Sequence, residues 1–333
     1  MLSNMNDVAR IAGVSRGSVS NYINGQKTRP DTQIKIEKAI KSLNYVPNAT
    51  ARALKTSRSN YVIFIIPTVN TPFFSELSYH VQLELKKFGY KMILCNSNSE
   101  PTEELEYIQM ANTQKVAGII TMSYADVADL VSPNIALVSI EKKISDNFPM
   151  VISDNYQGGK LAAQKLHDSG AKHLLFASKS PIKDISSVRQ QGFVDYCTEN
   201  NLTYDTFLSR DIPNFIDDFK DFILENKTDH AFKYDGVFSD SDEYANAFWH
   251  ILLQYDISVP GNVQIIGFDA ARIYQRQPTF LSAIRQPIEK IASEAVTRLL
   301  LQLPHPEQHS QKNSVTVLPV TFQQGVTTKT DRH

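Results

Sequence analysis

Cysteine is almost missing from this chain: Cys95 and Cys197 are the only two in 333 residues. So sparse a use suits a reducing compartment, and their wide separation offers no metal-ligand spacing. Each reads as a small buried apolar residue. Long apolar runs are missing too. None approaches the roughly 18–20 residues that span a bilayer, so no membrane association is expected. The opening stretch, MLSNMNDVARIAGVS, has neither a basic n-region nor an apolar h-region. It therefore does not read as a signal peptide, and a cytoplasmic protein is expected. The signatures of catalysis are lacking as well: no His-Glu-x-x-His, no Gly-x-Ser-x-Gly and no Walker loop. Gly158-Gly159 at a helix start is compatible with phosphate binding, but a lone glycine pair is weak evidence. His167, His173, His230 and His250 are not spaced as ligands. Neither an enzyme nor a bound metal or cofactor is expected.

Acid is what the N-terminal stretch lacks. Residues 1–60 hold ten bases, Arg10, Arg16, Lys27, Arg29, Lys35, Lys38, Lys41, Arg52, Lys55 and Arg58, against Asp7, Asp31 and Glu37, a net of +7. The remainder has 24 bases and 32 acids, or −8, so the overall charge of −1 conceals a basic head on an acidic body. That asymmetry is expected of a polyanion-binding module attached to something else. The length by itself suggests about two to three domains.

Within the head, Asn6 or Asp7 is expected to cap a first short helix with Val8, Ala9, Ile11 and Ala12. Gly13 permits the left-handed backbone of a tight turn. Ser15 caps a second helix carrying Val19, Tyr22 and Ile23, which ends near Asn24-Gly25. A third helix begins at Asp31 or Thr32, carries Ile34, Ile36, Ala39, Ile40 and Leu43, and stops at Asn44 and Pro47. Small Ala9 and Ala12 let the first two helices cross closely, with Val8, Val14 and Val19 sealing the crossing. Ala9, Gly13 four residues on, and an apolar residue one turn into the second helix make the pattern of a helix-turn-helix. An ordinary helical hairpin shares part of it. The stretch from Pro47 to Leu54 permits a helix but has too few apolar residues to hold one alone in water.

From Tyr61 the chain alternates short β-rich runs with helical segments. Strands are expected at 61–66, 92–94, 116–121, 136–140, 151–152, 174–177, 236–239 and 263–267. Helices are expected around 73–88, 102–114, 155–169, 186–200, 241–255 and 287–302. This alternation predicts parallel sheets with helices on both faces, and its extent predicts two such lobes with a cleft near the strand C-termini.

Val8-Ala9-x-x-Ala12-Gly13-Val14-Ser15-x-x-Ser18-Val19-Ser20, then Asn24-Gly25, Leu43-Asn44-Tyr45-x-Pro47-Asn48 and Ala51-Arg52-x-Leu54, resembles the lactose-repressor (LacI/GalR) family of bacterial transcription regulators. The resemblance continues through Thr71-Pro72-Phe73-Phe74, Asp154-Asn155-x-x-Gly158-Gly159, Arg189-x-x-Gly192-Phe193, Val259-Pro260 to Gly267-Phe268-Asp269, and Ile284-Arg285-Gln286-Pro287. It implies an all-α helix-turn-helix headpiece (1–46), a hinge (47–58) and a two-lobed periplasmic-binding-protein-like α/β domain with parallel sheets (59–333).

The resemblance also implies roles. Ser15, Arg16, Gly17, Ser20 and Asn21 belong to the DNA-contacting surface, with Arg16, Gly17 and Asn21 where recognition-helix side chains meet base edges. Arg suits guanine and Asn suits adenine. Most members carry Arg where this chain has Asn21, and Gly17 offers no side chain. In the hinge, Asn48, Ala51, Leu54 and Lys55 would meet DNA, Leu54 as an apolar wedge in the minor groove; a plain linker is the competing reading. In the cleft, Phe73 and Phe74 would offer flat apolar faces, and Glu141, Arg189, Ser241 and Asp269 polar groups for an effector. Two departures alter that cleft. Ser241-Asp242 replaces the family's Asn-Asp, and Glu141-Lys142 its Asp-Arg. The expected partners are a near-palindromic operator, a second copy of the chain, and a small molecule, a sugar or sugar phosphate first. A non-sugar ligand such as a nucleobase, control by a protein partner, and a ligand-free architectural DNA-binding protein remain as alternatives.

Overall fold

A capping box opens the first helix two to three residues earlier than the sequence suggested. In the computed structural model, which describes residues 3–23, 26–45, 59–122, 131, 135–180, 184–210, 215–228, 231–272, 279–303 and 314–330, helix α1 runs Met5–Ala12 and its cap is Asn4. Asn4 Oδ1 accepts the Asn6 and Asp7 amides at 2.8 and 3.3 Å, while the Asp7 carboxylate accepts the Asn4 amide at 3.0 Å. Asp7 is thus the third helical residue of the box, not the cap. Gly13 ends the helix at φ +64°, the left-handed conformation that glycine adopts without penalty. Helix α2 spans Arg16–Ile23, with Ser15 Oγ accepting the Ser18 amide at 3.1 Å. Helix α3 spans Pro30–Ser42, and Pro30 rather than Asp31 or Thr32 takes its first position.

These helices bury Val8, Ala9, Ala12, Val19, Ile36, Ala39 and Tyr45 as one small core. Ile34, expected inside, is 52% exposed, because it lies off the stripe formed by Ile36, Ala39 and Ile40. Tyr22 ties α2 to α3 by donating to Glu37 at 2.8 Å. Asn24-Gly25 and the whole expected hinge, with Asn48, Ala51, Leu54 and Lys55, lie outside the described residues.

The chain divides into two compact units, Met1–Ser59 and Asn60–His333. The second contains two sheets of six strands. The first has β1 (Tyr61–Ile66), β2 (Lys91–Asn96), β3 (Gly118–Thr121), β4 (Leu137–Ile140), β5 (Met150–Ser153) and β11 (Val315–Leu318), in the order β11-β5-β4-β3-β1-β2. The second has β6 (His173–Lys179), β7 (Thr203–Ser209), β8 (Gly236–Ser239), β9 (Gln264–Asp269), β10 (Ser282–Arg285) and β12 (Thr321–Gln323), in the order β12-β10-β9-β8-β6-β7. Every pairing is parallel except β10 with β12.

Both faces of each sheet are covered, which is why β1 reads as an unbroken apolar run. On one face, Val62, Phe64 and Ile66 pack with α4 (Pro72–Lys87) and α10 (Ile288–Gln302); on the other, Ile63 and Ile65 pack with α5 (Pro101–Thr113). In the second lobe, α6 (Asn155–Asp168) and α7 (Asp184–Glu199) cover one face, and α8 (Phe215–Glu225) and α9 (Asp242–Gln254) the other. The chain passes between lobes three times: after Ser153, between β10 and α10, and between β11 and β12. Among the described residues no helix is long and apolar enough to cross a membrane.

Candidate DNA-facing helix and ligand cleft

Helix α2 carries its apolar side chains on one face only. Val19 is fully buried, with Tyr22 and Ile23 packed beside it. Arg16, Gly17, Ser20 and Asn21, at i, i+1, i+4 and i+5, share the other side. Arg16, Gly17 and Asn21 are exposed, as is Ser15, and Ser20 is half-buried. A Cβ added to Gly17 would meet nothing closer than Ser15 Oγ at 3.6 Å, so packing inside the headpiece does not require glycine there.

In the larger unit, a cleft of about 730 Å³ opens between the lobes at the strand C-termini. The first lobe gives it Phe73 and Phe74, from the first turn of α4. Thr71 caps this helix by accepting the Phe74 amide at 3.4 Å, and Pro72 fills its first position. The rings meet edge to face at 5.4 Å. Phe73 is 5% exposed and belongs to the core as much as to the cleft.

The second lobe gives the cleft its charges. Arg189, on α7, is 4% exposed. It lies over the Phe268 ring at 3.5 Å and donates from Nε to Asn155 Oδ1 at 2.8 Å and from Nη1 to the Asp240 carbonyl at 2.6 Å. Glycines bring its helix this close. A Cβ on Gly159 would overlap the Arg189 carbonyl, one on Gly192 that of Tyr156, and one on Gly158 the Phe268 ring. The Gly158-Gly159 pair is therefore a packing device, Gly159 against α7 and Gly158 against the Phe268 ring of β9.

Asp269 ends β9 at φ +119°, followed by Ala270 at +46°. Such backbone costs about 1–3 kcal/mol per residue and persists only where its surroundings enforce it. Here Gln286 donates to Asp269 Oδ1 at 2.6 Å, and Arg285 Nη1 to the Ala270 carbonyl at 2.8 Å. Burial pushes the Asp269 carboxyl up to about 7, helped by Asp240 and Glu141 and opposed by Arg189 and the Gln286 hydrogen bond. Burial likewise raises Asp242 well above the carboxylate range, with Asp269 adding to the shift and the Ala271 and Ala270 amides opposing it. Ser241 lines the cleft and caps α9, its Oγ accepting the Tyr244 amide at 3.3 Å.

Glu141 is the one expected effector residue that does not line the cleft. It is 3% exposed, and its oxygens accept the Ser153 amide and Asn155 Nδ2, both at 2.7 Å. It faces Arg189 only through Asn155, and burial raises its carboxyl despite the Arg189 charge. Sequence reasoning named Asn155 and Gln286 in motifs without assigning them to the site, and passed over Asp240. The signal for Asp240 was its position directly after β8, at the C-terminal edge where α/β sheets place their ligands.

The two lobes are tied by Glu76 of α4, which accepts Arg285 Nη2 and Nη1 at 2.7 and 2.9 Å and the Arg272 amide at 2.7 Å. His80 and Glu289 approach the same carboxylate. With both Glu76 oxygens engaged by Arg285, the trio reads as an ion-pair network.

A basic helix-turn-helix unit followed by a two-lobed domain with a cleft at its strand ends defines a ligand-responsive DNA-binding regulator. The chain belongs to the LacI family of bacterial transcription regulators. Residues 4–48 match the family described as bacterial regulatory proteins, lacI family, and residues 163–326 match the periplasmic binding protein-like domain. The chain is 32% identical to the sucrose operon repressor of Streptococcus mutans, over 98% of this chain and 99% of that one. It is 30% identical to the sucrose operon repressor of Pediococcus pentosaceus, over 98% and 100%. Its fold is shared with the lac repressor dimer bound to operator and the anti-inducer ONPF, at a TM-score of 0.82 and 20% identity, over 98% of this chain and 99% of that one.

Proposed function

We propose that this protein is a cytoplasmic, sequence-specific transcription repressor, not an enzyme, whose operator affinity is set by a sugar bound between its two lobes. The observation that carries this reading is the cleft itself. Aromatic faces from one lobe confront a buried guanidinium and carboxylates from the other, the combination that recognises the C–H faces and hydroxyl pairs of a carbohydrate. The relatives named as sucrose operon repressors support the same class of effector. Arg16 and Asn21 read base edges from α2, Ser15 and Ser20 assist at its backbone-facing margin, and Gly17 lets the groove approach. Asn48, Ala51, Leu54 and Lys55 complete the contact through the hinge. One headpiece reads too short a site for genomic specificity, so two copies of the chain bind a near-palindrome about a twofold axis.

A ligand that touches both lobes favours one interlobe angle. The first lobe follows directly from the hinge, so that angle sets the spacing of the two hinges in the dimer. Ligand and operator must then alter each other's affinity by the same factor, about 1–3 kcal/mol. The test is binding-site selection with the full chain, followed by gel shifts of the selected operator against sucrose, fructose, glucose and ribose. A near-palindromic site whose affinity responds to one of these sugars is expected. A site indifferent to all of them would overturn the sugar reading.

A further inference from the structure

Asp240 has no structural task for its carboxylate. The residue is 4% exposed and lines the cleft, yet its Oδ1 receives no hydrogen bond from the protein. Only its backbone is used, as the carbonyl that Arg189 grips. The cap of α9 is supplied by Ser241 next door, so Asp240 is not needed there. Asp242 Oδ1, on the same wall, also lacks a protein donor. A buried acceptor left empty is costly unless a ligand supplies the donor. Sugar hydroxyls are such donors.

The charge balance of the wall points the same way. Among the described residues it holds four carboxyl groups, Asp240, Asp242, Glu243 and Asp269, two of which, Asp242 and Asp269, burial holds towards the neutral form, against two cations, Lys179 and Arg189. Arg189 has already committed Nε, Nη1 and one face, and the Lys179 ammonium sits 5.4 Å from the Tyr244 ring centroid. A phosphate ester entering here would set its negative charge beside the Asp240 and Glu243 carboxylates, with one spare guanidinium edge and one lysine to meet it. Like charges at close range in a poorly hydrated site reject a ligand more strongly than an added hydroxyl contact attracts one.

We propose that Asp240 is a specificity-determining residue of the cleft: it accepts hydroxyls of an unphosphorylated sugar and, with Glu243, excludes the phosphorylated form. This inference rests on the reading of the cleft as a sugar site and narrows the effector to an uncharged polyol.

The test is calorimetric titration of the full-length protein with matched pairs: sucrose and sucrose 6-phosphate, fructose and fructose 6-phosphate, glucose and glucose 6-phosphate, ribose and ribose 5-phosphate. For the pair that binds, the neutral member should bind at least about tenfold tighter than its ester. Asp240→Asn should weaken the neutral sugar and narrow that gap at least about tenfold, since the amide is nearly isosteric but uncharged. Circular dichroism confirms that the variant is folded, and Asp240→Ser is the second variant should it not be. An ester that binds wild type as tightly as the neutral sugar overturns the proposal, as does an unchanged gap in the folded variant. If no member of any pair binds, it is the sugar reading of the cleft that falls, and this inference falls with it.

Discussion

The two lobes of the larger unit are topological copies with different contents. In each, the order runs from the second strand through the first, third, fourth and fifth to a late strand added at the far edge. The late strand is parallel in the first lobe and antiparallel in the second. The first lobe is packed mainly with aliphatic side chains, such as Ile63, Ile65, Leu77, Val81 and Leu299. The second is rich in rings, with Phe176, Phe193, Phe219, Phe238, Phe248 and Phe268 all fully buried. At the cleft the contrast reverses. The aliphatic lobe presents Phe73 and Phe74, and the aromatic lobe presents Arg189, Asp240, Asp242 and Asp269. A common frame thus leaves the lining free to differ. Rings inside the second lobe also have a use that aliphatic side chains lack: the Phe268 face lets a buried guanidinium lie flat against the core.

The comparison can be broken in four ways. Phe73→Ala, in the first lobe, should cost about 3–5 kcal/mol of stability because the ring is core as well as cleft wall. Urea unfolding would show it, and unchanged stability would mean that Phe73 serves the ligand alone. Arg189→Ala, in the second lobe, should cost about 2–5 kcal/mol in sugar affinity and abolish the operator's response. A variant that still responds normally in gel shifts would place the ligand elsewhere. Asn21→Ala extends the contrast to the headpiece, where about 1–3 kcal/mol of discrimination should be lost at a single base step. Site selection that returned the wild-type sequence preference would remove Asn21 from the recognition surface.

The smallest effect, taken per pH unit, is in pH. Asp269 has a folded value of about 7 against an ordinary 3.8, so the folded state resists ionising it. Its contribution to stability is intact below the ordinary value and is lost as pH rises towards 7. Between those limits the body should weaken by about 1 kcal/mol per pH unit, and Asp269→Asn should flatten that slope. Urea midpoints measured from pH 4 to 8 would reveal a slope unchanged by the substitution, the outcome that contradicts this account.

What was legible in the sequence was local. The strand at 61–66 announces itself because both of its faces are buried, and the strand at 236–239 likewise. Strand β7 was missed because it is a sheet edge with exposed polar Thr203, Asp205 and Thr206, so its pattern reads as a loop. Helix α8 was passed over although Phe215, Phe219, Phe222 and Ile223 follow helical spacing. Strands β10, β11 and β12 are three or four residues long, and the partners of β11 and β12 lie far away in sequence. The same limit applies to the cleft. Phe73, Arg189 and Asp269 sit in motifs, whereas Asp240 lies in a Ser-Asp-Ser-Asp run that looks like an ordinary turn. Its importance comes from the guanidinium above it, 51 positions away in the chain.

The three crossings between the lobes are also bonded to one another. The Asp154 amide of the first donates to the Leu318 carbonyl of the third at 2.8 Å. Ser153 Oγ of the first donates to Gln286 Oε1 of the second at 2.7 Å. Three pins fastened side by side leave a door one way to swing. The lobes can rotate about the line of the crossings, but sliding or twisting would shear those bonds. Few relative motions are therefore left for a bound ligand to suppress. Under the proposed function, most of the sugar's binding energy goes into choosing an angle, and that angle is what the operator would sense.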